Sequence, residues 1–287
     1  MIGPSGPVRE KARFYSTAHF HGRRNIYPMP PPSDPAKPRV AALRIAALAK
    51  HFGVQPVLRG VDLTVATGEA FGLVGVNGAG KTTLIKCMLD LCRCSSGRIE
   101  LFGAASTEPR SRSRLSYLPE RFTPPHYLRS REFLEFALSL AGARYEPHRA
   151  RAMLTSLELD PVILDRPVRQ LSKGMTQKLG LAGAFLNERD LYVLDEPMSG
   201  LDPASRVAVK GVLSRLHGEG RTLFFTSHVL ADIEELCSDI AVLEAGQVRF
   251  QGPPALLCSR YGEARLERAF LRCIREPERA FSTAQLE

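Results

Sequence analysis

Gly75-Val76-Asn77-Gly78-Ala79-Gly80-Lys81-Thr82-Thr83 decides how the rest of this chain is read. It fits the pattern G-x-x-x-x-G-K-[ST], in which glycines let backbone N–H groups wrap around phosphate oxygens. Ala70 to Val74, just before it, is a short apolar run with the character of a buried strand. After it a helix is expected from about Gly80 to Leu91, whose N-terminus adds roughly half a positive charge where phosphates sit. Lys81 supplies a full charge to the β- and γ-phosphates, and the Thr82 hydroxyl suits Mg2+. Asn77, Gly78, Ala79, Gly80 and Thr83 complete the cradle. The motif points to a nucleotide phosphate and leaves the use of the nucleotide open.

Working outward, Leu191-Tyr192-Val193-Leu194-Asp195-Glu196-Pro197 is an apolar strand that ends in two carboxylates. Side chains alternate along a strand, so the adjacent acids point differently. Asp195 is the candidate for the Mg2+ shell and Glu196 for the general base. His228 follows the strand Thr222–Thr226. It therefore sits at the carboxyl edge, where ligands of open α/β sheets collect, and there it suits the γ-phosphate. Taken alone, the acids read better as a solvated strand end and His228 as a surface or satisfied residue; the phosphate loop in the same chain shifts the weight to the chemical reading.

Further strands are expected at Val61–Val65, Arg98–Phe102, Leu115–Leu118, Ile240–Leu243 and Gln247–Phe250. Helices are expected at Arg131–Leu140, His148–Leu157, Lys173–Leu186, Ala204–Leu216 and Ala264–Ile274. Strands alternating with helices give an α/β class with a mainly parallel sheet. Residues 123–167 hold no strand candidate and read as a helical insert.

The chain has 287 residues, 44 % of them apolar and 24 % charged, which is globular and excludes collagen, coiled coil and wholesale disorder. No apolar run approaches the ~18 residues that cross a bilayer. The formal charge of +9 is local. Residues 1–39 carry net +5 and residues 106–131 net +4, so the remainder is balanced. A nucleic-acid-binding body is more often basic across a face; two short basic segments suit a membrane surface or an acidic partner. Residues 1–39 also hold eight of the 21 prolines, and read as a disordered tail without a signal-peptide core. A transit peptide is a weaker reading of the tail, and Met29 offers an alternative start. The six cysteines are too sparse for a disulfide scaffold and read as reduced thiols, with Cys87, Cys237 and Cys258 as small buried hydrophobes.

Leu171-Ser172-Lys173-Gly174-Met175 opens a helix 23 residues before Asp195, and with it the whole order resembles the ATP-binding subunit of an ATP-binding-cassette (ABC) transporter. The likeness covers about residues 40–252. It implies a P-loop NTPase core with an antiparallel β subdomain near the N-terminus. It also implies an ATP-binding domain over 40–258 with a helical insert at about 123–187, and a helical tail over 259–287. Ser172 and Gly174 match the family's signature, which faces the γ-phosphate held by a second copy. Phe52 resembles the adenine-stacking aromatic, though a core aromatic is the plain alternative. Glu120, in Tyr117-Leu118-Pro119-Glu120, stands where the family has a hinge glutamine near Mg2+. Asp202, in Ser199-Gly200-Leu201-Asp202, resembles the dimer-contact aspartate, and His228 the switch histidine. Lys173 stands for a glycine and Met175 for a glutamine of the signature.

The resemblance implies ATP and Mg2+ as ligands, and hydrolysis between two copies of the domain, as a homodimer or pseudo-symmetric heterodimer. It implies an integral membrane permease as partner, no nucleic acid, and a place on the cytoplasmic face of the inner membrane. Phe122, Pro124, Pro125, Tyr127 and Leu128 are candidates to meet the permease, or simply to pack the insert. The stretch Leu266–Leu271 resembles the short end of export-type subunits, so export is favoured over import. The competing reading is a soluble ABC ATPase acting on nucleic acid or ribosomes. Such relatives usually carry two cassettes or coiled-coil arms, and this sequence shows one cassette and no heptads.

Overall fold

The computed structural model describes residues 41–276. The Pro-rich tail and Met29 therefore lie outside the described residues, as do residues 277–287. Two sheets organise the described part. β1 (Ala41–Phe52), β2 (Gln55–Ala66), β4 (Ser96–Leu101) and β5 (Ala104–Ala105) form an antiparallel sheet in the order β2-β1-β4-β5. β3 (Ala70–Val74), β6 (Leu115–Leu118), β7 (Leu191–Leu194), β8 (Thr222–Thr226), β9 (Asp239–Glu244) and β10 (Gln247–Gly252) form the second sheet. Its order is β10-β9-β3-β8-β7-β6, parallel except for β10.

Every residue of β3, β7 and β8 is buried, as expected of central parallel strands covered on both faces. Strand alternation then deals their side chains to two cores. Phe71, Leu73, Leu191, Val193, Phe224, Ala241 and Leu243 face a core shared with the antiparallel sheet and α1 (Lys81–Met88). Within it Phe71 and Phe224 stack at 5.8 Å between ring centres. Ala70, Val74, Tyr192, Leu194, Leu223, Phe225, Ile240 and Val242 face the other core, built with the later helices. Each large side chain buried this way is worth about 1.5–3 kcal/mol, so the sheet that carries the loops is rigid.

Between β6 and β7 no strand intervenes among the described residues. After the short α2 (Pro109–Arg112) and β6 come α3 (Ser130–Leu140), α4 (Pro147–Ser156), two 3₁₀ turns and α5 (Lys173–Leu186). α6 (Pro203–Gly218), α7 (Leu230–Leu236), α8 (Pro254–Tyr261) and α9 (Leu266–Arg275) complete the order. The helix after the Gly-rich loop stops earlier than the expected Leu91. Asp90 turns left-handed at φ 57, and the N–H groups of Leu91 and Cys92 both fold back onto the Lys86 carbonyl. α7 and α8 go beyond the sequence expectations, and the break at residue 258 falls inside α8. Leu257, Leu266, Ala269 and Cys273 are fully buried in one core, which joins α8 and α9 to the sheet. All six cysteines are free; Cys258 is half-buried rather than buried. No described helix is long and apolar enough to cross a membrane.

Candidate functional site

The sheet order brings the singled-out segments to one edge. From β3 the chain runs to the far edge at β6, returns through β7 and β8, and then crosses β3 to β9. The carboxyl ends of β3, β8, β7 and β6 thus stand side by side at a switch in strand order, where open α/β sheets bind ligands. The Gly-rich loop follows β3, His228 follows β8, Asp195-Glu196 follows β7, and Glu120 follows β6.

At Gly75 and Gly80 the loop is shaped by contacts that leave no room for a side chain. A Cβ on Gly75 would lie 2.3 Å from the Leu243 carbonyl oxygen. Gly80 caps α1 at φ 109, and a Cβ there would meet Leu58 at 2.9 Å. The Ala79 N–H donates to the Val76 carbonyl and the Ala79 carbonyl accepts from the Gly246 N–H, each at 3.1 Å. This ties the loop to the β9–β10 turn. The Lys81 ammonium folds back over the loop and donates to the carbonyls of Gly75 (2.7 Å) and Val76 (3.3 Å). A full positive charge and the start of a helix therefore share one segment.

Asp195 is 1 % exposed and each of its oxygens is met by a hydroxyl. Thr82 Oγ1 donates to Oδ2 at 3.0 Å and Thr226 Oγ1 donates to Oδ1 at 2.7 Å. Its N–H donates to the Leu118 carbonyl, which fixes the carboxylate against β6. Burial first, and the Asp195 charge second, push the neighbouring Tyr117 phenol up to about 12. Glu196 adopts φ 50, and its N–H donates to Thr226 Oγ1 at 2.8 Å. Its Oε2 lies 2.8 Å from His228 Nδ1, with the carboxylate largely covered and the imidazole exposed. His228 thus meets the candidate base directly, a pairing the sequence leaves unstated. Thr226 is the site residue the sequence reading passes over. Its signal was a hydroxyl at the end of an apolar strand, two residues before His228.

The remaining candidates lie around this centre. Phe52 is 53 % exposed at the β1–β2 turn, with the Lys50 ammonium 4.7 Å from its ring centre, so it is no core aromatic. Glu120 is exposed, and among the described residues it has no side-chain hydrogen bond or ion pair. Ser172 caps α5, its hydroxyl accepting from the Met175 N–H at 3.2 Å. Gly174 packs near the Gly200 carbonyl and Leu201, so the signature abuts the Ser199–Asp202 loop of its own chain. Asp202 caps α6, accepting from the Ser205 N–H and hydroxyl, and these bonds hold its carboxyl below the usual range. Among the described residues, the hydrogen bonds of Ser172 and Asp202 stay within their own helices and do not reach the Gly-rich loop. In the insert, Phe122 packs edge-on against Phe133, whereas Tyr127 is 71 % exposed.

The residues suit Mg2+. Thr82 and Asp195 offer hard oxygens 3.0 Å apart, and an octahedral ion with ligands at about 2.1 Å spaces neighbouring oxygens by about 3 Å. Among the described residues no group of three or more His, Cys, Asp or Glu could hold a metal. An ion here must complete its shell from nucleotide oxygens and water, as Mg2+ commonly does.

Comparison with known proteins agrees with this geometry. Residues 58–199 match the ABC transporter family model. An uncharacterised ABC transporter ATP-binding protein of Synechocystis sp. is 40 % identical over 198 residues, which is 68 % of this chain and 56 % of the relative. The chain therefore spans little more than half the length of that protein. A Nod factor export ATP-binding protein I of Rhizobium meliloti is 36 % identical over 229 residues, 77 % of this chain and 67 % of the relative. A solved ATP-binding subunit of an ABC transporter superposes with TM-score 0.73 at 28 % identity, covering 81 % of this chain and 99 % of that one. A Gly-rich loop that opens a helix, a pair of strand-end carboxylates and these likenesses converge, and the chain belongs to the ATP-binding subunits of ABC transporters.

Proposed function

We propose that this chain hydrolyses Mg2+-ATP between two copies of itself, or of a close partner, and lends the closing motion to a separate membrane permease, for export. The observation that carries the reading is the linked set Thr82–Asp195–Thr226–Glu196–His228 beside Lys81. It supplies, within hydrogen-bonding reach of one another, a metal ligand, a base and a histidine at the edge where the loop would hold phosphates. In this reading Lys81, the α1 N-terminus and the loop N–H groups from Asn77 to Thr83 bind the phosphates. Phe52 stacks on the base, where aromatic stacking is worth ~1–3 kcal/mol. Thr82 and Asp195 would hold Mg2+, with Glu120 as a further candidate ligand, and the bound ion would supply positive charge against the phosphates of the nucleotide. Glu196 takes the proton of the attacking water at its carboxylate, and His228 holds that carboxylate and the γ-phosphate in line.

One copy encloses only one side of the nucleotide. Ser172, Gly174 and Asp202 of a second copy close the other, so ATP favours the closed pair because it binds that state better. A two-fold pair gives two such sites. The exporter reading is supported by the name of the Rhizobium relative and the stretch Leu266–Leu271. The permease would meet the insert at its exposed Tyr127, and would hold the chain on the cytoplasmic face of the membrane. We take the described residues 41–258, continued by the rest of α8 and by α9, as the ATP-binding domain with its insert at about 123–187.

Glu196→Gln tests the proposal. It is expected to bind ATP at near-parental affinity, to lose turnover by about 10²–10⁴-fold, and to run as an ATP-dependent dimer in size exclusion with light scattering. Undiminished turnover, or a monomer saturated with ATP, contradicts it.

A further inference from the structure

Thr226 is the last residue of a strand whose other positions are filled by Leu223, Phe224, Phe225 and the N-terminal Thr222. It is 0 % exposed. A buried hydroxyl in an apolar strand needs partners, and both of this one's partners are the neighbouring carboxylate residues. The register pairs Leu194 with Phe225, so Asp195 and Thr226 come next, side by side across β7 and β8. The hydroxyl donates to Asp195 Oδ1 at 2.7 Å and accepts from the Glu196 N–H at 2.8 Å. Only a group that is donor and acceptor at once can do both, which Ser and Thr satisfy and Val, of the same shape, does not. Among the described residues it is the one side chain on Oδ1, while Thr82 takes Oδ2.

The Glu196 N–H bond matters for a second reason. Glu196 sits at φ 50, a left-handed conformation that a non-glycine residue holds only when its surroundings fix it. Thr226 fixes the backbone of Glu196, and His228, two residues further along the same segment, meets its carboxylate at 2.8 Å. One segment thus grips the residue at two points.

We propose that Thr226 is a positioning residue that sets Asp195 toward the metal and Glu196 toward the attacking water through a single shared hydroxyl. It rests on the function proposed above. Outer-sphere partners of metal-binding carboxylates commonly contribute 10–100-fold to affinity or rate.

The test compares the full chain with Thr226→Val and Thr226→Ser in two assays. One is trinitrophenyl-ATP binding, first in EDTA and then titrated with Mg2+; the other is steady-state hydrolysis. Thr226→Val is expected to bind nucleotide in EDTA within about twofold of the parent, while its half-saturating Mg2+ rises and its kcat falls, each by about 10–100-fold. Thr226→Ser is expected to recover both to within about threefold, because it keeps the donor and the acceptor. Should Thr226→Val fail to fold, Thr226→Ala carries the same expectations. Parental Mg2+ requirement and kcat in the Val variant overturn the proposal. So does equal weakening of binding with and without Mg2+, or a Ser variant as impaired as Val. A parent chain that binds nucleotide yet never hydrolyses it fails the proposed function instead, and the Mg2+ titration still decides the role of Thr226.

Discussion

The carboxylate of Glu196 meets His228 Nδ1 at 2.8 Å, while its backbone is held at φ 50. Removing the imidazole leaves the carboxylate free to rotate without disturbing the phosphate loop. His228→Ala is therefore expected to lower kcat at least ~10-fold while leaving the KM for ATP within about threefold, the pattern of an interaction made in the transition state. Steady-state kinetics over a range of ATP checks it; a raised KM with unchanged kcat contradicts it. Lys81, Thr82, Asp195, Glu196 and His228 can all be singled out from the sequence as candidates by residue type and spacing, and the sheet order brings them to one edge. How they touch is not legible in the sequence. The Thr226 bridge depends on β7 lying beside β8, and the His228–Glu196 contact depends on a left-handed turn at a glutamate. Neither a neighbour in a sheet nor a positive φ at a non-glycine residue is written in a local pattern.

Among the elements, β3, β6, β7, β8 and α5 fall where their apolar runs end, because central strands and a buried helix have sharp hydrophobic limits. β1 leaves no such mark in the sequence. Its register slips at several points, with Ala47 at φ 48, so its alternation breaks. α7 is also hidden, being only seven residues and opened without a capping side chain. The signature helix α5 tests the two meanings of Ser172. As a cap, its hydroxyl accepts from the Met175 N–H, and Ser172→Ala is expected to cost about 1 kcal/mol of stability. Asp caps as well as Ser, so Ser172→Asp is expected to keep the thermal midpoint near the parent's. It nonetheless sets a negative charge where the partner's γ-phosphate would lie, and is expected to abolish ATP-dependent dimerisation. An Asp variant that still dimerises with ATP contradicts a role for Ser172 across the interface.

For the molecule as a whole, burial raises several weak acids, most of all Cys87, Tyr117, Tyr192 and Cys237. Cys87, Tyr117 and Tyr192 are each pushed up to about 12, from ordinary values of 9.0 for the thiol and 10.0 for the phenols. Desolvation is the largest cause in each; Cys87 also feels Cys94 and Cys92, and Tyr117 feels Asp195. The folded chain keeps these protons while the unfolded chain releases them, so stability is complete below about pH 9 and is lost as pH rises toward about 12. Thermal midpoints measured at rising pH are expected to fall across that window. Tyr192→Phe, which removes one buried acid, is expected to make the fall shallower. A midpoint unchanged through about pH 11 contradicts the burial of these groups.

The two cores clamp a sheet whose parallel strand ends present the loop, the carboxylates and the histidine together, and the proposed function requires that ATP be broken at that edge. The most direct measurement is Mg2+-dependent phosphate release by the purified chain and by Lys81→Ala, at saturating ATP. Among the described residues the Lys81 ammonium donates only to the loop carbonyls of Gly75 and Val76, so its loss spares the core. The parent is expected to turn over and Lys81→Ala to fall at least ~100-fold below it, as the loss of a charge that stabilises the transferring phosphoryl group requires. Equal rates for the two proteins would contradict the account.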